Sequence, residues 1–340
     1  MLDITMNSGF WKKLKKPIMA TAPMANVTDE AFRQMLVAYG RPSVFWTEFV
    51  SVEGLLSKGK ERVLIDLQYK KNEHPIIAQV FGSKPEQFEK AAIIIRKLGF
   101  DGIDINMGCP DRDVEKQGAG AALIKNPKLA KEIIRATKRG AKTMPVSIKT
   151  RIGYSKDQID EWIPVLLEED IAALTIHLRT RKEMSDVAAH WDCMTKIVAL
   201  RNRISPSTRI LGNGDITSLD ETYEKIGASG VDGVMIGRGL LGNPWFFSGY
   251  EPDFQERLHG MIAHAKLFEK LYVNKKTGRI KSFDVMKKHF KAYTSGFRGA
   301  KDLRILLMET QNATEVQKII EKFVKNFPSA SGREKVKKIK

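Results

Sequence analysis

Two cysteines, Cys109 and Cys193, are all that this chain of 340 residues contains. So few exclude a disulfide framework as the organising principle and point to a reducing, cytoplasmic setting. There is no CxxC, no HExxH and no clustered His/Asp spacing, so no metal site is expected. No apolar run approaches the ~18 residues that span a bilayer. The N-terminal stretch MLDITMNSGFWKKLKK has lysines with no apolar core after them, so a secretory leader is not expected. The P-loop and the nucleophile-elbow serine are missing as well. The first strand-like run is followed by APMANVTD, without a glycine, which excludes the GxGxxG dinucleotide fingerprint. These absences leave a protein expected to be metal-free; its oligomeric state is open, with a monomer favoured.

What is abundant is positive charge. Lys and Arg number 57 against 40 Asp and Glu, a net of +17. The excess is uneven: residues 251–340 hold 21 basic and 10 acidic residues, a net of +11, while residues 1–250 hold a net of +6. A solvated basic surface would account for this, and so would a module that binds a polyanion.

Residues 17–240 alternate between short β-rich runs and helical patterns. The runs are Ile18–Ala22, Val44–Glu48, Ile76–Phe81, Gly102–Asn106, Val146–Thr150, Ala173–His177, Arg209–Asn213 and Gly233–Gly237. Continuous Val- and Ile-rich runs of this length suit strands buried on both faces of a parallel sheet. Helices are predicted over Lys84–Leu98, Pro127–Arg139, Asp157–Glu168 and Ser218–Ile226, with Asp157 and Ser218 as caps. Eight strand–helix units predict an α/β fold, a (β/α)8 TIM barrel, as the catalytic domain over 17–250. Residues 251–327 show no strand alternation and read as an appended C-terminal helical bundle: Phe254–Asn274, Ser282–Thr294, Lys301–Met308 and Thr314–Phe327. Residues 1–16 form an N-terminal extension and residues 328–340 a basic tail; extra polyanion contacts are one role for both.

In such a barrel the chemistry gathers at the carboxyl ends of the strands. There the sequence places Pro23, Met24 and Ala25, then Gln79, then Asn106 with Cys109, then Lys149 and Arg151, then His177 and Arg179. Asn213, Gly214 and Asp215 follow the seventh strand, and Gly237 and Arg238 the eighth. Glycine turns after strands seven and eight suit a phosphate, since small residues let backbone N–H groups approach closely; either alone reads as a tight turn, and the two together favour the phosphate. Cys109, between a glycine and a proline, is fixed on a rigid turn, and a thiol with a pKa near ~8.5 is a protonated general acid at neutral pH. Lys149 suits an anionic ring or phosphate. His177 suits a hydrogen bond or a proton shuttle, or is a core histidine. Gln79 carries donor and acceptor together and suits a heterocycle edge or a neighbouring loop. Cys193, beside Trp191, reads as structural.

The chain resembles the tRNA-dihydrouridine synthases. The resemblance rests on APMANVTD (22–29), PIIAQVFG (75–82), DGIDINMGCPDRDVEKQGAGAALIKNP (101–127), PVSIKTRIG (145–153), LTIHLRTR (174–181), GNGDI (212–216) and GVMIGRGLLGNPWFF (233–247), in family order. It implies FMN as cofactor, reduced by NADPH or NADH. It also implies Pro23–Ala25 along the flavin ring, Gln79 and Lys149 at its polar edge, His177 near it, and Asn213–Asp215 with Gly237–Arg238 on the phosphate. Asn106, Arg151 and Arg179 are then assigned to the substrate side, and Cys109 is the residue that protonates C5 of uridine after hydride reaches C6. The basic helical region would bind tRNA. Two other readings stay open: a small-molecule flavin oxidoreductase of the dihydroorotate-dehydrogenase or old-yellow-enzyme kind, and a barrel that mainly binds RNA.

Overall fold

The computed structural model describes residues 9–274 and 278–326. Its chain divides into two compact units, residues 1–240 with 244–249 and residues 241–243 with 250–340.

The first unit is built on eight parallel strands: β1 Ile18–Thr21, β2 Phe45–Ser51, β3 Ile76–Phe81, β4 Gly102–Met107, β5 Val146–Arg151, β6 Ala173–His177, β7 Arg209–Asn213 and β8 Gly233–Ile236. Each pairs with its sequence neighbour from β2 to β8. β1 pairs with β8, Ile18 opposite Gly233, and an Ala20–Val44 bridge joins β1 to the start of β2. The barrel is thereby closed, and no row of strand hydrogen-bonding groups is left as an edge. The predicted β2 is displaced. Val44 makes only the isolated bridge, and the strand runs on to Ser51 through an irregularity in its pairing with β3 between Trp46 and Phe49.

Helices α1 Glu30–Tyr39, α2 Pro85–Lys97, α3 Pro127–Ala141, α4 Ile159–Leu167, α5 Met194–Ile204 and α6 Leu219–Ser229 cover the outside. Pro85 and Pro127 stand in first turns, where a missing N–H costs nothing. Ser218 caps α6 by accepting from the Glu221 N–H at 3.1 Å. Asp157 falls one residue short of the cap predicted for α4. Gln158 holds that position, and the Asp157 carboxylate accepts instead from the Ile159 N–H at 2.8 Å. After β2 and β8 only short helical turns occur.

Two apolar layers result. One lies between sheet and helices, with Phe88, Ile95, Ile133, Trp162 and Ile197 in it. The other fills the barrel itself with Ala20, Trp46, Ile77, Ala173, Leu211 and Met235. Its amino-terminal end is plugged by Trp11, which is buried and meets Trp46 edge-on at 6.0 Å. Residues 9–16 are thus part of the barrel and not a separate extension: Gly9–Lys13 forms a helical turn, and Lys16 bonds the buried Asp232. Residues 1–8 and the tail 328–340 lie outside the described residues.

The second unit contains α7 Phe254–Tyr272, α8 Met286–Tyr293, α9 Ala300–Met308 and α10 Ala313–Asn326. Asp253 and Glu256 close a capping box at the start of α7. Phe268, Tyr272, Phe283, Phe290, Leu303, Leu307, Val316 and Ile320 are buried. One expectation fails here. Val273–Asn274 (β9) and Gly278–Arg279 (β10) pair as a short antiparallel ladder, too brief to show a two-residue alternation.

Among the described residues no helix is long and apolar enough to cross a membrane.

Candidate active site

Side chains on a barrel strand alternate between interior and exterior. The alternation gives Gln79 to the same face as Ile77, Asn213 to the same face as Leu211, and Asp104 with Asn106 one shared face of β4. Apolar side chains fill the lower interior, while the upper level carries polar ones. Strand register brings these polar groups side by side: Asn106 opposite Lys149, Arg151 opposite His177, and His177 opposite Asn213.

A cavity of about 670 Å³ opens at this end, within the range of small-molecule and cofactor sites. Pro23 and Met24 line one side and Lys149 with His177 another. The turns after β7 and β8 complete it, with Asn213, Gly214, Asp215, Gly237 and Arg238. Nine of the predicted site residues therefore share one cavity. Ala25, Gln79, Asn106, Cys109, Arg151 and Arg179 do not line it.

The phosphate-like end owes its shape to close backbone approach. A Cβ on Gly239 would stand 2.3 Å from the Ile216 carbonyl oxygen, so only glycine lets the β8 turn lie against the β7 turn. A Cβ on Gly237 would meet only Ala22 and Met24, at 3.5 and 3.6 Å. It would fill the cavity wall rather than break it. Asp215 has a left-handed backbone, with φ of 50°. Its carboxylate accepts from Arg179, from the Ala189 N–H at 2.9 Å and from the exposed Arg238 at 3.0 Å. A carboxylate so engaged acts by holding Arg238 at the rim, and the contribution Asp215 can make to an anion is through its backbone.

His177 is neutral. Burial, reinforced by the cations Lys149, Arg151, Arg179 and Arg238, drives its pKa far below the usual range. Arg179 can only donate, so at 3.1 Å the imidazole Nε2 accepts and Nδ1 carries the hydrogen. This arrangement fits a hydrogen-bond donor and not a proton shuttle. Burial, aided by Arg151, lowers the Lys149 pKa to about 8, which leaves it charged at neutral pH.

Next to this cavity stands a linked set of polar groups. Asn106 Oδ1 accepts from the N–H groups of Gly108, at 3.1 Å, and Cys109, at 2.9 Å. Asn106 Nδ2 donates to Gln79 Oε1 at 2.9 Å, and Gln79 Nε2 donates to Asp104 at 2.6 Å. Ser147 donates to the other Asp104 oxygen at 2.6 Å. The Cys109 carbonyl accepts from the Ala121 N–H at 2.9 Å. Gly120, with φ of 59°, packs so closely that a Cβ there would lie 2.7 Å from that carbonyl. Burial raises the Cys109 thiol above its ordinary pKa, although Lys149 and Arg151 pull it down. The thiol is therefore protonated at neutral pH. Cys193 donates its S–H to the His190 carbonyl at 2.8 Å, and burial raises its pKa to about 12.

Arg151 and Arg179 are buried. Arg151 donates to the carbonyls of Gly108 at 2.8 Å and of Thr180 and Met184 at 3.0 Å. Arg179 donates to the Val187 carbonyl at 2.6 Å besides bonding Asp215. Both guanidinium groups brace the loops that frame the cavity.

Sequence reasoning missed Asp104, Ser147, Ser185, Thr217 and Met235. Two-residue alternation was signal enough for Asp104 and Met235, because each precedes a predicted site residue by two. Ser185, in the long 178–190 loop, carries no such signal.

The family model for dihydrouridine synthase (Dus) matches residues 20–328. A probable tRNA-dihydrouridine synthase of Staphylococcus aureus (strain Mu50) is 42% identical over 322 residues, 94% of this chain and 96% of the relative. Probable tRNA-dihydrouridine synthase 2 of Bacillus subtilis (strain 168) is 40% identical over 326 residues, 95% and 98% of the two chains. Among solved structures, a 2-naphthoyl-CoA reductase complex superposes with a TM-score of 0.50 at 11% identity, over 68% of this chain and 49% of that one. At that identity the likeness shows the barrel fold alone.

Proposed function

This chain belongs to the dihydrouridine synthase family, and on that premise we propose that it reduces the C5=C6 bond of uridines in transfer RNA, with FMN as cofactor and NADPH or NADH as reductant. The cavity suits the cofactor. An exposed Arg238 and the close-packed turns after β7 and β8 fit a phosphate, Pro23 and Met24 offer a wall for a ring, and Lys149 is a cation for its anionic edge. His177 adds a neutral donor from Nδ1. Bound and reduced, the flavin would supply the hydride that goes to C6.

The rest is the work of the chain's own residues. Cys109 Sγ gives its proton to C5. It can do so because burial keeps the thiol protonated, and because Lys149 and Arg151 steady the thiolate left behind until water restores the proton. Asn106 keeps the donor in place by accepting its backbone N–H. Gln79 acts on Asn106, and Arg151 and Arg179 act on the substrate side through the loops they brace. The target base must leave its stack to reach such a site. The basic helical unit supplies phosphate contacts that position the tRNA. Such a substrate belongs to the cytoplasm.

A protonated, half-buried thiol on a braced turn, with Lys149 linking it to the cavity, is the observation that carries this reading. The purified protein is expected to be yellow. With NADPH it should add two daltons to a uridine of unmodified tRNA, read by mass spectrometry. Cys109→Ala should keep the colour and the tRNA affinity and lose about 10²- to 10⁴-fold in turnover, the contribution of one general acid. A fully active Cys109→Ala would overturn the assignment of the proton.

A further inference from the structure

Asp104, on β4, is a fully buried carboxylate that the proposed reaction does not use. It stands between Gln79 and Ser147 in the strand register, with the apolar side chains of Ala173, Leu211 and Met235 filling the barrel interior. An ionised group there is costly, and an apolar side chain of similar volume would fit better.

The hydrogen-bond directions around it are fixed by chemistry. The N–H groups of Gly108 and Cys109 can only donate, so Asn106 must turn its oxygen toward them. Its nitrogen then faces Gln79, which must present its oxygen. The Gln79 nitrogen is left facing inward, where it needs an acceptor, and Asp104 is that acceptor. Ser147, donating to the second carboxylate oxygen, fixes the rotation of Asp104 in turn.

We propose that Asp104 is a positioning residue for the proton donor: it sets the direction of the Gln79 and Asn106 amides and thereby holds the turn that carries Cys109. The inference rests on the reading of Cys109 as that donor. With an apolar residue at 104, the Gln79 nitrogen loses its acceptor. Gln79 turns toward another partner and takes its oxygen from Asn106, and the Cys109 N–H loses its anchor. Asparagine at 104 preserves the relay, since its oxygen accepts from Gln79 while its nitrogen donates to the Ser147 hydroxyl.

The test is the pH dependence of alkylation of Cys109 by iodoacetamide in the full chain carrying Cys193→Ser, so that only one thiol reports. Asp104→Leu is expected to shift the midpoint downward, toward the ordinary thiol range, and to lower kcat for tRNA about tenfold with KM unchanged. Asp104→Asn is expected to match the parent in both. Should Asp104→Leu not fold, Gln79→Met breaks the same relay one link later and is expected to give the same midpoint shift. An unchanged midpoint in the folded apolar variants, or an equal shift in Asp104→Asn and Asp104→Leu, would overturn the proposal. Alkylation is read on the free protein, so it stands apart from the assignment of Cys109. That assignment fails separately, if Cys109→Ala makes dihydrouridine at the full rate.

Discussion

Asp104 shows most directly what a single residue costs this barrel. Burial raises its pKa to about 6, against the lowering bonds from Ser147 and Gln79 and the charge of Lys149. An acid whose folded pKa exceeds its unfolded value of ~3.9 favours the folded state when protonated, so stability is present below pH ~4 and is lost as pH rises to ~6. Across that window the loss is about 3 kcal/mol, at about 1.4 kcal/mol for each tenfold change in protonation. Asp104→Asn removes the charge and keeps the shape. It should raise the melting temperature at pH 7.5 by a few degrees, and the gain should shrink when both proteins are melted at pH 5. A gain that does not depend on pH would contradict the buried-charge account. His177 offers a second reading at this scale. Its imidazole, surrounded by cations, should show no titration between pH 5.5 and 8 when followed by NMR of the ring protons.

At the scale of elements, the strands bring the groups together and the loops aim them. Asn106, Lys149, His177 and Asn213 become neighbours only because β4, β5, β6 and β7 pair in one register. The loop 178–190 is held down by its own Arg179 and, from distant parts of the chain, by Arg151 and the Asp215 carboxylate. At the opposite end, Trp11 closes the barrel against Trp46. Trp11→Ala leaves an apolar hole and should cost about 3–5 kcal/mol, the usual range for a buried large aromatic. It would be read as a lowered denaturant midpoint. The cavity sits at the other end of the strands, so flavin retained by the folded fraction should be unchanged. A variant as stable as the parent would mean that residues 9–16 do not plug the barrel in solution.

At the scale of the whole molecule, charge is divided between two units with separate cores. Residues 251–340 carry a net +11, and Lys318 and Lys322 are exposed one turn apart on α10. Binding of a polyanion releases counterions, so affinity for tRNA should fall steeply with salt. Reversing both lysines to glutamate should weaken tRNA binding and flatten the log–log salt slope by about 1 for each phosphate that is no longer neutralised. A slope that stays the same would place the RNA on another face.

Much of this protein is written in the chain at short range. Eight buried strands, the amphipathic helices between them and the glycine turns of a phosphate-like site all follow from neighbours within a few residues, because side-chain period and turn chemistry are local properties. The turn that carries Cys109 was legible for the same reason, being bounded by glycine and proline. What tertiary structure alone decided is which polar groups spend their hydrogen bonds on each other. Arg151 and Arg179 read as substrate contacts until their donors were seen committed to loop carbonyls and Asp215, and Asp104 drew no notice in an apolar run. The Asp104–Gln79 and Ser147–Asp104 bonds join residues 25 and 43 positions apart. Their directions depend on a backbone N–H that cannot accept, a constraint that exists only once the strands stand side by side.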